Sequence, residues 1–267
     1  MEKLAIYTQF DDNYFEYGAT MLYSFFKYNT WFNGDFFIIN DDECIFLSNE
    51  NKEKLKKISG HIKILDVKGS EYAKVINNQY EICSVNKKWL SCFYELELFR
   101  SSYDKILWLD SDTIVRGSIE ELFNDRALDG KFCCCQDIIA LGYFNAGVYL
   151  LDQEVIKKYP FEKMHDFCAN VTKKGLIKSS NARGDGRLVI QDCLNHLIAE
   201  DDRIYLPHSF YNVSVFFPIN ASSIGKIFHY NGRNNKPNGP TERTGRYDWF
   251  YQPWHMLHEE TIKFLEN

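Results

Sequence analysis

Several absences narrow the chemistry of this chain. No Gly-x-Gly-x-x-Gly follows the first apolar segment and no Walker-type Gly-Lys-Ser/Thr occurs, which argues against dinucleotide and P-loop chemistry. No Gly-x-Ser-x-Gly elbow is present either. No apolar run approaches the roughly 20 residues that span a bilayer. No leader is expected, because Met1-Glu-Lys runs straight into Leu4-Ala-Ile-Tyr-Thr8, which reads as a core strand. Positive charge is not in excess: the net charge of −6 offers nucleic acid no general attraction. The eight cysteines are therefore expected as reduced thiols in the cytoplasm. Cys133-Cys134-Cys135 lacks the Cys-x-x-Cys spacing of zinc sites, and on a strand its middle member faces away from the other two. Internal repeats, low-complexity tracts and linkers are also missing, so one domain over 1–267 is the simpler division.

What is present describes a globular α/β protein. Hydrophobic residues make up 45% and aromatics 16% of 267 residues, enough for a full core. Residues 4–8 read as a strand, followed by a polar loop at 9–14. A helix over about 15–28 carries Ala19, Leu22, Phe25 and Phe26 on its apolar face. A second strand covers 35–39, Ser48 caps a helix running to about Ile58, and a third strand covers 62–65. Such alternation is the grammar of a parallel sheet covered on both faces. Residues 71–86 receive no assignment, and 88–100 read as helical. Ser118-Ile-Glu-Glu121 is a capping box that predicts a short helix. Strands are expected at 132–136, 144–151, 204–206 and 226–230, and helices at 153–159, 161–173, 188–198 and the carboxyl end. The polar stretches 175–187 and 231–240 read as loops.

The chemistry concentrates in Lys105-Ile-Leu-Trp-Leu-Asp-Ser-Asp-Thr-Ile-Val115. An apolar strand ends abruptly in two carboxylates, Asp110 and Asp112. Paired acids repel and are costly to desolvate, so at a buried strand's end they point to a ligand. In extended backbone residues two apart face the same way, which lets both acids meet one cation of the Mg²⁺ or Mn²⁺ type. Asp-x-Asp alone is a weak signal, since Asp also starts turns and caps helices. His229 ends a later strand; it reads either as a buried, hydrogen-bonded histidine or as a third ligand. Behind it, Gly232 allows close backbone approach and Lys236 offers a cation for phosphate, although on position alone Lys236 is a solvated loop charge.

Five ordered blocks now carry a resemblance. They are Asp11-Asp-Asn-Tyr14, Tyr103 to Val115, Tyr143-Phe-Asn-Ala-Gly-Val148, Gln191-Asp-Cys-Leu-Asn195, and His229-Tyr-Asn-Gly232 with Lys236-Pro237. From about Ala5 to Lys236 the chain resembles the family 8 retaining glycosyltransferases, which include glycogenin and bacterial lipopolysaccharide galactosyl- and glucosyltransferases. The resemblance implies a GT-A type Rossmann-like fold with a mostly parallel central sheet flanked by helices. Its nucleotide-sugar half covers about 1–115, and its acceptor and closing-loop half about 116–267. It also implies a UDP-sugar donor and Mn²⁺ or Mg²⁺. By position, Gln9, Asp11 and Asn13 face uracil and ribose. Asp110, Asp112 and His229 ligate the metal, with Ser111 beside the donor. Gly232 and Lys236 hold the diphosphate. Asn145 and Gln191 face the donor sugar, Asp192 follows on the same helix, and Asp137 lies near sugar or acceptor. Read without the resemblance, Asp11 and Asn13 are turn formers, Asn145 ends a strand, and Gln191 is a polar helix position. Three departures from the family pattern stand out. Ile190 replaces an acid, Glu95 stands where Lys or Arg is usual, and the phosphate loop has an extra residue before Lys236 with Asn238 in place of Trp.

The resemblance implies a metal-dependent transferase that moves galactose or glucose from a UDP-sugar to a hydroxyl of a glycan, lipid-linked or protein acceptor. No nucleic-acid partner and no transmembrane segment are expected; peripheral association with the inner membrane face is compatible with that reading. Retention by double displacement needs a nucleophile, and the amide of Gln191 is a poor one. Same-face transfer is therefore expected, with a phosphate oxygen taking the acceptor proton. Residues 233–246 are expected to close over the nucleotide. A haloacid-dehalogenase-type phosphatase is the rival enzyme, but there the motif normally sits near the amino terminus. A sugar-binding protein that has lost turnover through Ile190 and Glu95 is the non-enzyme alternative.

Overall fold

A computed structural model describes residues 2–83, 87–137, 142–173, 190–214, 221–232, 235–239, 245 and 247–267. Its centre is a seven-stranded sheet built from β1 (Leu4–Gln9), β2 (Asp35–Asn40), β3 (Ile62–Asp66), β4 (Lys105–Leu109), β6 (Phe132–Gln136), β7 (Phe144–Asp152) and β8 (Arg203–Leu206). The spatial order is β3-β2-β1-β4-β7-β6-β8. All neighbours pair parallel except β7, which runs against both β4 and β6. A separate two-stranded ribbon joins β5 (Thr113–Val115) to β9 (Ile227–His229). The fold is thus α/β, with a mostly parallel sheet flanked by helices.

Alternation along the strands builds a core on each face of the sheet. Ile106 and Trp108 of β4 join Ala5 and Tyr7 on one face, whereas Leu107 and Leu109 join Ile6 on the other. Every residue of β4 is buried, as befits the centre of a doubly covered sheet. The cysteine triplet on β6 obeys the same rule: Cys134 packs on the first face, and Cys133 and Cys135 on the second. Cys44, Cys92, Cys133, Cys134, Cys135, Cys168 and Cys193 are free thiols. A third apolar cluster packs Phe228 and Tyr230 against Phe250, Tyr251 and Trp254 of the terminal helix Asp248–Glu266, tying β9 down.

Helix α1 (Phe15–Tyr28) matches its expected bounds, and Ser48 caps α2 (Asn49–Ile58) by accepting from the Asn51 amide at 3.3 Å. The unassigned stretch forms most of α3 (Gly69–Cys83), with Tyr72 and Val75 in the core. The segment Lys87–Arg100 is a 3₁₀ helix. Two expectations need correction. The helix over 161–173 ends at Asn170. The short helix marked by Ser118 forms at Glu120–Asn124, and Ser118 Oγ accepts from the Glu120 amide at 3.3 Å. The reciprocal half of the capping box does not close, because the Glu121 carboxylate pairs with Lys226 and accepts from the Tyr211 hydroxyl at 2.7 Å. The expected loop at 175–187 lies outside the described residues.

Candidate active site

Strand order reverses between β1 and β4, the place where open α/β sheets bind ligands beyond their carboxyl ends. Asp110 leaves β4 into a turn in which its carbonyl accepts from the Thr113 amide at 3.2 Å and hydroxyl at 2.8 Å. Asp112 closes that turn. The two acids therefore converge through a turn rather than through an extended strand, which corrects the geometry expected for them. The β5–β9 ribbon supplies the third group: Thr113 pairs with His229. His229 Nε2 lies 3.4 Å from Asp110 Oδ2 and 3.2 Å from Asp112 Oδ1. One ligand atom from each of Asp110, Asp112 and His229 falls within 4.8 Å of the others.

Strand β7 makes room for this arrangement. A Cβ at Gly147 would sit 2.1 Å from His229 Cε1 and 2.9 Å from Asp110 Oδ2, so the position tolerates no side chain. The Gly147 carbonyl accepts from the Asp110 amide at 2.9 Å, and the Trp108 indole donates to Asp110 Oδ1 at 2.8 Å. A chain of amides then runs away from His229. Its Nδ1 is 2.8 Å from Asn212 Oδ1; Asn212 Nδ2 donates to Asn145 Oδ1 at 2.9 Å. Asn145 Nδ2 donates to Gln191 Oε1 at 3.3 Å, and Gln191 Nε2 donates to Asp137 Oδ2 at 3.2 Å.

A pocket of about 680 Å³ opens over these groups. Among the expected residues, Gln9, Asp11, Asn13, Asp110, Ser111, Asp112, Asn145, Gln191, His229 and Gly232 line it. Asp11 also serves as a local cap, accepting from the Asn13 and Tyr14 amides at 3.0 and 3.1 Å. Three expected residues do not line the pocket. Asp137 stands behind Gln191. Asp192 is buried and accepts from the Tyr143 hydroxyl. Lys236 forms an ion pair with Asp112, and burial lowers its ammonium to about 8, with Asp110 opposing that shift. Asn238 takes the left-handed φ of 54°, a conformation Asn accepts more readily than Trp. Residues 233, 234, 240–244 and 246 of the expected closing loop lie outside the described residues.

Glu95 lines the same pocket and is 3% exposed. Its Oε1 is buried without a hydrogen-bond partner. Burial pushes this carboxyl well above the usual carboxylate range, the nearby Asp110 pushes further, and the Tyr149 hydroxyl opposes both. Sequence reasoning missed Asn212, for which no motif exists, and the steric role of Gly147, which a glycine inside a strand does signal.

Solved structures with this fold include the galactosyltransferase LgtC in complex with donor and acceptor sugar analogs. It is 20% identical, with TM-score 0.68 over 96% of this chain and 95% of that one. The bifunctional glycosyltransferase WbbM is 18% identical, with TM-score 0.65 over 97% of this chain and 52% of that one. The glycosyltransferase GlyE of Streptococcus pneumoniae TIGR4 is 18% identical, with TM-score 0.64 over 98% of this chain and 64% of that one. At such identities the likeness concerns the GT-A fold alone. No curated protein matches the chain. The family model described as glycosyl transferase family 8 matches residues 5–237, so the chain belongs to glycosyl transferase family 8 and is a glycosyltransferase.

Proposed function

We propose that this chain, as one transferase domain, moves a hexose from a UDP-sugar to a hydroxyl acceptor in a metal-dependent, retaining reaction. The observation that carries the reading is the meeting of Asp110, Asp112 and His229 within 4.8 Å on the floor of a pocket at the sheet's switch point. Two carboxylates and one imidazole are a donor set that suits Mn²⁺, with Mg²⁺ the harder alternative. A divalent ion there would supply charge stabilisation for a departing diphosphate. The chain's own residues do the rest. Gln9, Asp11 and Asn13 receive the nucleoside end, and Gly232 lets backbone approach the phosphates. Lys236 lies close enough to Asp112 to add a positive charge beside them.

Gln191 is held by its neighbours, so its amide steadies a sugar without bonding to it covalently. Asp192 is engaged by Tyr143 and lies outside the pocket, which favours same-face transfer over a covalent intermediate. Galactose and glucose are the proposed sugars, and a glycan, lipid-linked or protein hydroxyl the proposed acceptor. Free thiols at Cys44, Cys92, Cys133, Cys134, Cys135, Cys168 and Cys193 support a cytoplasmic setting. No helix among the described residues is long and apolar enough to cross a membrane.

The test is UDP release from UDP-galactose and UDP-glucose with and without Mn²⁺, followed by NMR of the product. Metal-dependent release and an α linkage from an α-linked donor are expected. A β product excludes retention, and donor binding without release supports the inactive binder suggested by Ile190 and Glu95. A glycosyl adduct on Asp192 or Gln191 by mass spectrometry would overturn same-face transfer.

A further inference from the structure

We propose that Asn212 is a positioning residue that sets the tautomer of His229 and so aims its Nε2 lone pair at Asp110 and Asp112. The inference rests on the metal reading of those three residues. Its warrant lies in two backbone amides of β7, whose donor character is fixed. The Gly147 N–H donates to Asn145 Oδ1 at 3.0 Å, so that atom is an acceptor and the Asn145 amide has one orientation. Asn212 reaches the same oxygen at 2.9 Å, and therefore presents its Nδ2 there. Its Oδ1 is left facing His229 Nδ1 at 2.8 Å. An amide oxygen only accepts, so Nδ1 must carry the hydrogen, and in a neutral ring Nε2 is then unprotonated. That is the nitrogen facing both carboxylates, at 3.4 and 3.2 Å.

The second backbone amide agrees independently. The Ala146 N–H donates to Gln191 Oε1 at 3.0 Å, which orients Gln191 and requires Asn145 to present Nδ2 to it. Both ends of the amide chain thus demand the same arrangement. Asn212 is 1% exposed and His229 is 2% exposed, so water does not compete for these bonds. An imidazole whose far nitrogen is held in this way is a pre-aimed ligand, and losing such support typically costs metal sites about 10- to 100-fold in affinity.

The experiment has two readings. Long-range ¹⁵N–¹H spectra of the metal-free protein, followed with pH so that the neutral ring is observed and with His229 assigned through His229→Gln, should show the Nδ1–H tautomer, and Asn212→Ala should lose it. An Nε2–H ring in the parent protein overturns the proposal. Calorimetry with Mn²⁺ alone should then show a tenfold or greater loss of affinity in Asn212→Ala. Asn212→Asp, which keeps an acceptor for Nδ1, should recover part of that loss and stands in if the alanine variant fails to fold. A protein that binds Mn²⁺ equally well with and without the Asn212 acceptor overturns the positioning role while leaving the metal reading intact. A parent protein that binds no Mn²⁺ at all removes the metal reading, and this inference with it.

Discussion

Gly147 and His229 are so close that the hydrogen on the glycine Cα fills the space where a methyl group would meet the imidazole, 2.1 Å from Cε1. The contact joins a central strand to the β5–β9 ribbon at the point where the acid pair turns.

Replacing Gly147 with alanine should therefore displace His229 and Asp110 together. Overpacking of this kind costs about 1–3 kcal/mol. Calorimetry should show Mn²⁺ affinity falling at least tenfold, on the order of losses seen when support for a ligand is removed. A variant with parental affinity would show that the two strands separate without disturbing the site.

Asp110→Ala and Asp112→Ala should each lower Mn²⁺-dependent UDP release by about 100-fold or more, the scale expected for groups that stabilise developing charge. Both should remain folded, because removing either carboxylate relieves repulsion within the pair. Circular dichroism melts within about 4 °C of the parent, roughly 1 kcal/mol at this size, would support that separation of activity from folding.

Lys236 now shares Asp112 with any cation that enters. Lys236→Met should bind Mn²⁺ more tightly in the absence of nucleotide, by up to about tenfold or roughly 1.4 kcal/mol. The same variant should turn over more slowly with donor, since the phosphates lose a cation. Opposite movement of metal affinity and rate is the diagnostic result; parallel losses would mean that Lys236 holds the metal site together.

Glu95 binds its proton more tightly in the folded protein than in the unfolded chain, as burial and Asp110 require. Folded-state stability from this group is therefore greatest in acid and falls as pH rises past the unfolded value of about 4.3. Glu95→Gln removes that dependence. Its melting temperature, measured without metal, should exceed that of the parent at pH 8, with the gap closing toward pH 4. A constant gap across that range would assign the difference to packing instead of protonation.

The strands and their order of appearance were legible because apolar runs with sharp polar ends leave few alternatives, as in 105–109 and 35–39. Helix α1 showed its buried face through Ala19, Leu22 and Phe25. Residues 71–86 did not, since Tyr72 and Val75 bury themselves against a 3₁₀ segment that follows no clear period. The capping signature at Ser118 located the short helix but not the contacts of Glu121, whose distant partner Lys226 is a tertiary contact invisible to local pattern. Site residues were recoverable where a motif named them. The turn that joins Asp110 to Asp112 and the amide chain through Asn212 depend on pairings far apart in sequence, so spacing alone could not show them.

The single reversed strand has a consequence for how sequence change is partitioned. Because β7 enters the sheet where its parallel neighbours leave it, Asn145, Ala146 and Gly147 reach the pocket from the strand's beginning. Its far end carries Asp152, which pairs in register with Lys105, accepts from the Gly130 amide at 2.6 Å and caps the next helix. One nine-residue strand thus divides its labour by distance, with site-forming residues at its entrance and anchoring ones at its exit. Gly147 holds the pocket end of the strand to its sequence, while Asp152 anchors the opposite rim.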